Sequence, residues 1–463
     1  MAGAGTRALT VSEIIDQQPL SRLQTLAIAL CGLVLLLDGF DTQCVGFLAP
    51  SISENLAIPL KNFGPVFSAG LLGLMVAAIA MGSLADRWGR KRPMILSVLT
   101  FAVFALFTAR ALSLEQLIVY RFLTGLGLGG AMPNVVALTS EYSPKRLQAV
   151  FVAMLFSGIP LGALVASAAS SAMIPRWGWR SVFYMGGILP VAITLLLMKL
   201  LPESVRFLTA RGKNSPALSK IMAQIAPGVR PAELDLSLRA SESEVEDESL
   251  SSKPSRPALR RLFAEGRAAA TILLWTSFFM NLLIMYFIVN WLPGLLQQSG
   301  LPASAGVTAI LVFSLGGIAG NLGEGRVMNS CGAYATLLAQ FAISTVLIGA
   351  LAFLTRSFDM LLAVTFVLGM AIEGGQGGLN ALAASSYPTT IRATGVGWAL
   401  GVGRVGSIVA PMIAGMFLSM GWSPQRIFLA GMAPALCGAL AILASSRRRG
   451  QADAFAAEHA GEA

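Results

Sequence analysis

Long apolar runs alternate with short polar segments along the whole chain of 463 residues. Each run is about 20 residues long, which is the length that an α-helix needs to cross the hydrocarbon core of a bilayer. Six runs precede a longer polar segment and six follow it. The pattern predicts an all-α polytopic membrane protein with twelve transmembrane helices, here called spans 1 to 12, at 24–45, 64–84, 93–110, 115–138, 147–171, 181–200, 269–290, 303–325, 333–353, 359–380, 394–418 and 425–444.

Composition supports this class of protein. Hydrophobic residues make up 55% of the chain and charged residues 12%, with a mean hydropathy of +0.71, whereas soluble domains carry about 25% charged residues. The net charge is +10, but the basic residues cluster at span ends, as Arg90 and Arg447 do. This distribution indicates a lipid bilayer rather than nucleic acid as the partner. Three of the four cysteines lie in apolar runs, so we expect no disulfide framework.

The polar segments divide the chain and orient it. Basic residues concentrate in the loops after spans 2 and 4 and at the C-terminal end, which predicts that both termini are cytoplasmic. No small-residue cleavage site follows the first run, so we expect it to be retained. Eleven basic and nine acidic residues crowd 201–267, with an acidic, serine-rich stretch at 241–252, and predict a partly disordered loop. The predicted organisation is an N-terminal tail, a first bundle, a central loop, a second bundle and a C-terminal tail, at 1–23, 24–200, 201–268, 269–444 and 445–463.

The two halves of the chain resemble each other. The string GSLADRWGRK from Gly82 aligns with GRVMNSCGAY from Gly325, at an offset of 325 minus 82, or 243. Tyr142 and Tyr387 lie in a second matching string at an offset of 387 minus 142, or 245. Because internal repeats are typical of transporter folds, these offsets predict two six-helix pseudo-repeat bundles.

Several of these strings carry a family resemblance. The string from Gly82 resembles the loop motif of the major facilitator superfamily, and RFLTGLG from Arg121 resembles its fourth-helix motif. More narrowly, four strings resemble motifs of the aromatic acid:proton symporters. They are DGFD at 38–41, GLGGAMPN at 127–134, RATGVGW at 392–398 and GRVG at 403–406. The resemblance covers most of the chain and implies a monomeric carrier, without enzymatic activity or cofactor. It also implies uptake of a benzoate, hydroxybenzoate or phenylpropionate type of acid, driven by a proton gradient.

Two acidic residues in span 1 are candidates for proton coupling. Asp38 and Asp41 are three residues apart and share a helix face, and a carboxylate inside a bilayer is costly unless it faces a cavity or a partner. Asp38 lies about 21 Å into span 1, and Arg121 lies about 9 Å into span 4 from the opposite side. We therefore expect all three to meet in the outer half of the membrane, where the arginine tunes the carboxylates. The alternatives are a structural ion pair and an aspartate that caps a helix break.

Glu373 in span 10 and Arg404 in span 11 reach the middle of the membrane from opposite sides. An arginine there can hold a substrate carboxylate through two parallel hydrogen bonds, and Glu373 is its expected partner in the empty carrier. Alternatively, the two residues only neutralise each other. Further candidates for substrate contact are of two kinds. Polar side chains could form hydrogen bonds with a ring hydroxyl, namely Asn134, Gln376 and Asn380. Aromatic rings could line the substrate or could equally serve packing, namely Tyr286 and Trp398.

Charged residues near the cytoplasmic ends of the spans are candidates for gating. A charge network between helix ends can stabilise one state of a rocking carrier, and the alternative is a set of ordinary solvated charges. The residues in question are Asp86, Arg87, Arg90, Glu141 and Arg392.

Some chemistries are poorly supported by this sequence. The single histidine, His459, lies in the C-terminal tail, which excludes proton coupling through a membrane histidine. No phosphate-binding loop and no metal-binding pattern is present, so ATP-driven transport and hydrolysis are disfavoured. One alternative function stays open. Span 5 contains Gly158-Ile-Pro160, which resembles a degenerate form of an exporter motif, so a proton-coupled efflux antiporter for small organic compounds is the second hypothesis.

Overall fold

The computed structural model describes residues 11–210, 216–226, 258–264, 266–354, 357–388 and 391–460. All regular secondary structure within these ranges is helical, and twelve helices are long and apolar enough to cross a membrane. The predicted fold class is therefore confirmed. Spans 1 to 12 are Arg22–Leu56, Gly64–Trp88, Lys91–Ala109, Leu114–Tyr142, Lys145–Phe156 with Gly158–Trp177, Trp179–Leu200, Ala268–Gln298, Ala303–Cys331, Ala333–Leu351, Phe358–Ser386, Arg392–Ser419 and Pro424–Ala460.

Several helices extend beyond the apolar runs that predict them. Span 1 begins at a capping box in which Ser21 and Gln24 bond reciprocally, and it continues through Pro50 to Leu56. Span 8 continues to Cys331, so the prediction that its end lies near residue 325 is wrong. Backbone hydrogen bonding continues where hydropathy falls, because a helix that leaves the hydrocarbon region keeps its internal bonds.

The packing of the helices repeats after six spans. Spans 2 and 4, 1 and 5, and 3 and 6 pack together in the N-terminal bundle, and spans 8 and 10, 7 and 11, and 9 and 12 do so in the C-terminal bundle. Between the bundles, span 5 packs on span 8, span 2 on span 11, and span 1 on span 7. Adding six to each span number maps this packing onto itself, which confirms two pseudo-repeat bundles.

The repeat extends to single backbone positions. Span 2 ends before Gly89 with φ 85°, and span 8 ends before Gly332 with φ 84°. These glycines are separated by 332 minus 89, or 243, the offset found between the two strings in the sequence. Both adopt a backbone conformation that other residues disfavour.

Short helices lie against the side of the molecule where span 1 begins. This side is called the terminal side here, and the opposite side the distal side. Ile14 and Ile15 are buried in one apolar cluster with Leu218 and Met222. The central loop thus contributes ordered structure at both of its ends, whereas its acidic stretch, 241–252, lies outside the described residues. The short helices are Val11–Gln17, Val205–Ala210, Pro216–Ile225 and Ala258–Leu262.

Candidate functional site

A buried ion pair joins spans 1 and 4. Arg121 Nη2 lies 2.9 Å from Asp41 Oδ2, and Arg121 Nη1 donates to Asp41 Oδ1 at 3.0 Å. The two side chains are 4% and 1% exposed. This two-pronged geometry is the strongest that arginine makes with a carboxylate, so the pair fixes span 1 against span 4.

Asp38 does not join this pair, and the expectation that all three residues meet is wrong. A separation of three residues turns a side chain by about 60° and moves it about 4.5 Å along the helix. Asp38 Oδ1 instead accepts a hydrogen bond from Thr42 Oγ1 at 3.1 Å. The cation that acts on Asp38 is Arg404 of span 11, across the interface between the bundles.

Arg404 contacts both bundles. Its Nη1 donates to the hydroxyl of Tyr286 on span 7 at 3.4 Å, and its Nη2 lies 3.9 Å from Met132 Sδ on span 4. Among the described residues, no carboxylate forms a direct ion pair with Arg404. The half-buried guanidinium therefore offers N–H donors at the interface, next to Asp38 and Tyr286.

Glu373 is not the partner of Arg404, and this predicted pairing is wrong. Glu373 is 6% exposed and faces span 8. A Cβ built at Gly317 would lie 2.5 Å from its Oε2, so the absence of a side chain there makes room for the carboxylate. Since Arg404 faces span 7 and the N-terminal bundle, the two side chains point to different neighbours.

Amide side chains form a hydrogen-bonded chain between spans 7 and 10. Asn281 Nδ2 lies 3.0 Å from Gln376 Oε1, and Gln376 Nε2 donates to Asn380 Oδ1 at 3.3 Å. Asn281 lies in the apolar run of span 7, and this hydrogen-bonded chain places it beside the predicted contacts Gln376 and Asn380. Asn134 is fully buried and donates to the backbone of Gly130, while its Oδ1 has no hydrogen-bond partner among the described residues.

Trp398 lies away from this interface, and its prediction as a substrate contact is wrong. It belongs to the first turns of span 11 at the terminal side and is 45% exposed. Its ring stacks on Trp275 with centroids 5.9 Å apart, and Phe263 meets Trp275 edge to face. The ring therefore serves helix packing at the protein surface.

The distal side of the interface is closed by contacts between the bundles. Ser68 Oγ donates to the carbonyl of Ile408 at 2.6 Å, and Ser167 Oγ donates to the carbonyl of Val307 at 2.7 Å. Gln297 Nε2 donates to Glu54 Oε1 at 2.5 Å. These three bonds seal the interface beyond Arg121 and Tyr286, and within the C-terminal bundle Trp291 Nε1 donates to the carbonyl of Pro411 at 3.2 Å.

A small enclosed cavity lies below this seal. Its volume is about 20 Å³, which is enough for one water molecule. Four polar side chains line it, and they belong to Thr42, Arg121, Tyr286 and Asn290. The cavity connects the surroundings of the Asp41 pair with those of Asp38, because Thr42 also bonds Asp38.

The predicted gating residues lie at the terminal side. Glu141 Oε2 accepts from Ser204 Oγ at 2.5 Å and from the backbone N–H of Arg206 at 3.4 Å. Arg392 Nε reaches the carbonyl of Tyr387 at 3.4 Å. Arg87 is exposed and Arg90 half-buried. The side chain of Asp86 lies outside the described part of the structure, so its gating role stays a prediction.

Glu203 is a terminal-side carboxylate that sequence reasoning missed. Its Oε1 accepts from the backbone N–H groups of Arg90 at 2.8 Å and Lys91 at 3.0 Å. Tyr142 donates to its backbone carbonyl at 2.6 Å. The Glu203 carboxylate would collide with a Cβ at Gly89. Glu203 therefore fastens the end of span 6 to the loop between spans 2 and 3 within the N-terminal bundle.

Comparison with known proteins agrees with this architecture. A sequence model of the Major Facilitator Superfamily matches residues 31–354. Among solved structures, the inward open conformation of the xylose transporter XylE from E. coli is similar, with a TM-score of 0.71 and 15% identity, covering 91% of this chain and 95% of that one. This likeness concerns the fold.

Curated relatives are similar over almost their full length. The 4-hydroxybenzoate transporter PcaK of Pseudomonas putida is 36% identical over 94% of this chain and 96% of its own. The gallate transporter of Pseudomonas putida is 37% identical over 95% and 96%. The 3-(3-hydroxy-phenyl)propionate transporter of Escherichia coli K12 is 36% identical over 93% and 95%. The chain therefore belongs to the major facilitator superfamily and, within it, to the family of aromatic acid transporters.

Proposed function

We propose that the protein imports an aromatic carboxylate by proton symport with alternating access. The single observation that carries the proposal is the position of Arg404, a half-buried cation between the bundles that faces Asp38 and the hydroxyl of Tyr286. An anion that enters the low-dielectric interior needs such a cation. The names of the relatives support an aromatic acid as the anion.

The coupling follows from competition for one positive charge. In the empty carrier, ionised Asp38 balances Arg404. When Asp38 takes a proton, the charge of Arg404 is released and a substrate carboxylate binds in its place. The site is electrically neutral in both conditions, which favours movement of the bundles without an uncompensated charge in the membrane. Proton and substrate therefore bind with positive linkage.

The other candidate residues have distinct roles in this proposal. The Asp41–Arg121 pair holds span 1 against span 4, so that Asp38 keeps its orientation toward Arg404. Tyr286 supplies an aromatic wall and a hydroxyl beside the guanidinium. Gln376, Asn380 and Asn134 supply hydrogen-bonding groups for ring substituents.

The orientation of the carrier is part of the proposal. With both termini in the cytoplasm of a bacterial inner membrane, the terminal side faces the cytoplasm and the sealed distal side faces outward. The hydrogen bonds between the bundles at the distal side then close the outward-facing side. The concentration of basic residues in loops on the terminal side supports this orientation.

Transport by the purified full chain in lipid vesicles tests the proposal. Radiolabelled benzoate, 4-hydroxybenzoate, protocatechuate and 3-hydroxyphenylpropionate are offered with an inward proton gradient, with and without an uncoupler. We expect accumulation of at least one acid, abolished by the uncoupler. Loading of the same acids only in everted vesicles would instead identify an exporter.

A substitution at Asp38 tests the coupling step. Asp38→Asn resembles the protonated residue, so Arg404 stays free and exchange of substrate across the vesicle persists, while proton-driven accumulation is lost. Asp359→Asn is the matched control, because Asp359 is an exposed acid in the first turn of span 10. Undiminished accumulation by Asp38→Asn would contradict the mechanism.

A further inference from the structure

A carboxylate and an amide lie buried inside the C-terminal bundle, apart from the interface that the transport proposal uses. Glu324 belongs to span 8 and is 7% exposed. Gln340 of span 9 donates from Nε2 to Glu324 Oε2 at 2.6 Å. Glu324 lies seven residues before the end of its helix, about 10 Å along the axis. It is therefore below the surface of the bundle.

Each of these side chains has an oxygen without a partner. Glu324 Oε1 and Gln340 Oε1 are both buried and accept no hydrogen bond from any described residue. A Cβ at Gly378 would overlap Glu324 Oε1 and would also meet Leu337 and Met328. The free carboxylate oxygen therefore lies in apolar surroundings, which disfavour the ionised form of the carboxyl group.

Glycines on span 10 make the space that the pair occupies. A Cβ at Gly374 would lie 3.1 Å from Glu324 Oε2, and a Cβ at Gly375 would lie 3.3 Å from Gln340 Oε1. With Gly378, these positions form a small-residue wall opposite the carboxylate and the amide. The two free oxygens have almost no accessible surface, while the pair itself borders an open groove of about 190 Å³ between spans 8, 9 and 10.

No cation balances Glu324 within the described part of the chain. Its only described polar partner is the neutral Gln340, and no charged residue acts on it. On span 8, Arg326 is exposed, and on span 10, Glu373 packs against Gly317, seven residues and about 10 Å before Glu324. On span 9, Tyr334 lies six residues before Gln340, about 9 Å along the helix.

We infer that Glu324 and Gln340 form a proton-binding site, in which Glu324 is a carboxylic acid and Gln340 orients it. A proton can bind an oxygen that has almost no accessible surface without displacement of a helix. A metal ion needs six or more oxygen ligands when it is hard and divalent, and only two free oxygens are present here. The proton on Oε1 removes the charge, while Oε2 keeps the hydrogen bond from the amide.

This site is separate from the proton step at Asp38. Glu324 lies behind span 10, between spans 8 and 9, whereas Asp38 lies on span 1 and faces span 11. Its protonation changes the charge of the C-terminal bundle rather than the balance of Arg404. The inference therefore stands or falls independently of the transport direction and of the substrate.

Infrared spectroscopy of the full chain in lipid vesicles tests the site. We expect the carbonyl stretch of a protonated carboxyl group at neutral pH, which shifts in heavy water and disappears in Glu324→Gln. Glu373→Gln is the matched control, because it removes any band of the other buried acid of this bundle and should leave the Glu324 band in place. Gln340→Leu should shift the frequency of the band, because the carboxylic acid loses its amide partner. An unchanged band in Glu324→Gln would overturn the inference.

Thermal unfolding gives a second readout that does not depend on assigning a band. We expect the wild-type Tm to fall as the pH rises above the range in which the unfolded chain releases the Glu324 proton, and the fall to be smaller in Glu324→Gln. If Glu324→Gln fails to fold, Gln340→Leu provides the comparison, with a steeper alkaline fall than wild type. Stabilisation by sodium at constant pH that vanishes in Gln340→Leu would identify a metal ion and contradict a proton.

Discussion

The two bundles share one packing plan but treat buried acidic groups differently. In the N-terminal bundle, Asp41 is bound by Arg121 and Glu203 is bound by backbone N–H groups. In the C-terminal bundle, Glu324 is bound by a neutral amide, and Glu373 forms no ion pair or hydrogen bond with another described residue. Duplication has thus retained the helix contacts and the glycine turns while the electrostatics diverged. In the first bundle Asp41 and Glu203 are held by a cation and by backbone N–H groups, whereas the described surroundings of the two acids of the second bundle are neutral.

The largest expected effect concerns the ion pair of the N-terminal bundle. Arg121→Leu leaves Asp41 buried and unpaired, which costs about 3–5 kcal/mol of unfolding free energy. Chemical unfolding in detergent measures this loss. In the double variant Asp41→Leu with Arg121→Leu, most of the loss should return, since no isolated charge remains. A double variant as unstable as Arg121→Leu would show that packing, rather than charge, accounts for the effect.

The cation at the interface gives the next effect. Arg404→Ala removes the partner of the substrate carboxylate and should weaken equilibrium binding of the transported acid by about 2–5 kcal/mol. Trp398→Ala is the control, because that ring lies on the terminal-side surface against Trp275. Equal losses of affinity in the two variants would contradict the proposed role of Arg404 in binding the substrate carboxylate.

The repeated glycine turns allow a matched comparison of the bundles. Gly332→Ala places a side chain at φ 84°, where no described atom lies within 4 Å, so backbone strain alone applies, at about 1–2 kcal/mol. Gly89→Ala carries the same strain and also pushes against the Glu203 carboxylate. Thermal unfolding should therefore give a lower Tm for Gly89→Ala than for Gly332→Ala. The reverse order would mean that Glu203 does not fasten this turn.

The smallest effect is expected inside the C-terminal bundle. At neutral pH, Gln340→Leu removes one hydrogen bond to an uncharged group and should cost about 1 kcal/mol of unfolding free energy. Chemical unfolding under the conditions used for Arg121→Leu measures it. A loss as large as that of Arg121→Leu would mean that Glu324 is ionised, and it would erase the contrast between the bundles.

Much of the fold follows from hydrophobic pattern alone. A run of about 20 apolar residues has few structural solutions in a bilayer, since each backbone group must be bonded within its own segment. The number of spans and the duplication were therefore predictable. Helix ends were less so, because span 8 continues from residue 325 to Cys331 with no apolar signal.

The site was only partly predictable, because helix orientation about the axis is set by tertiary packing. The spacing of three residues placed Asp38 and Asp41 on one helix face. The angle of about 60° between their side chains nevertheless directs them to different bundles. The predicted depths in the membrane placed Glu373 and Arg404 at the same level, but Glu373 faces Gly317. The one available signal for Glu324 was a lone acid between Gly323 and Gly325, which marks tight helix packing around a carboxylate.

The distal seal sets how easily the protein can change state. It rests on three hydrogen bonds between the bundles, and two of them end on main-chain carbonyls. At about 1 kcal/mol for each bond, they favour the sealed arrangement by about 3 kcal/mol, a population ratio of roughly one hundred and sixty to one. Ligand binding energies of ordinary size can reverse such a ratio. Because backbone acceptors are present whatever residue occupies those positions, the donors Ser68 and Ser167 are the places where sequence change can adjust the resting equilibrium.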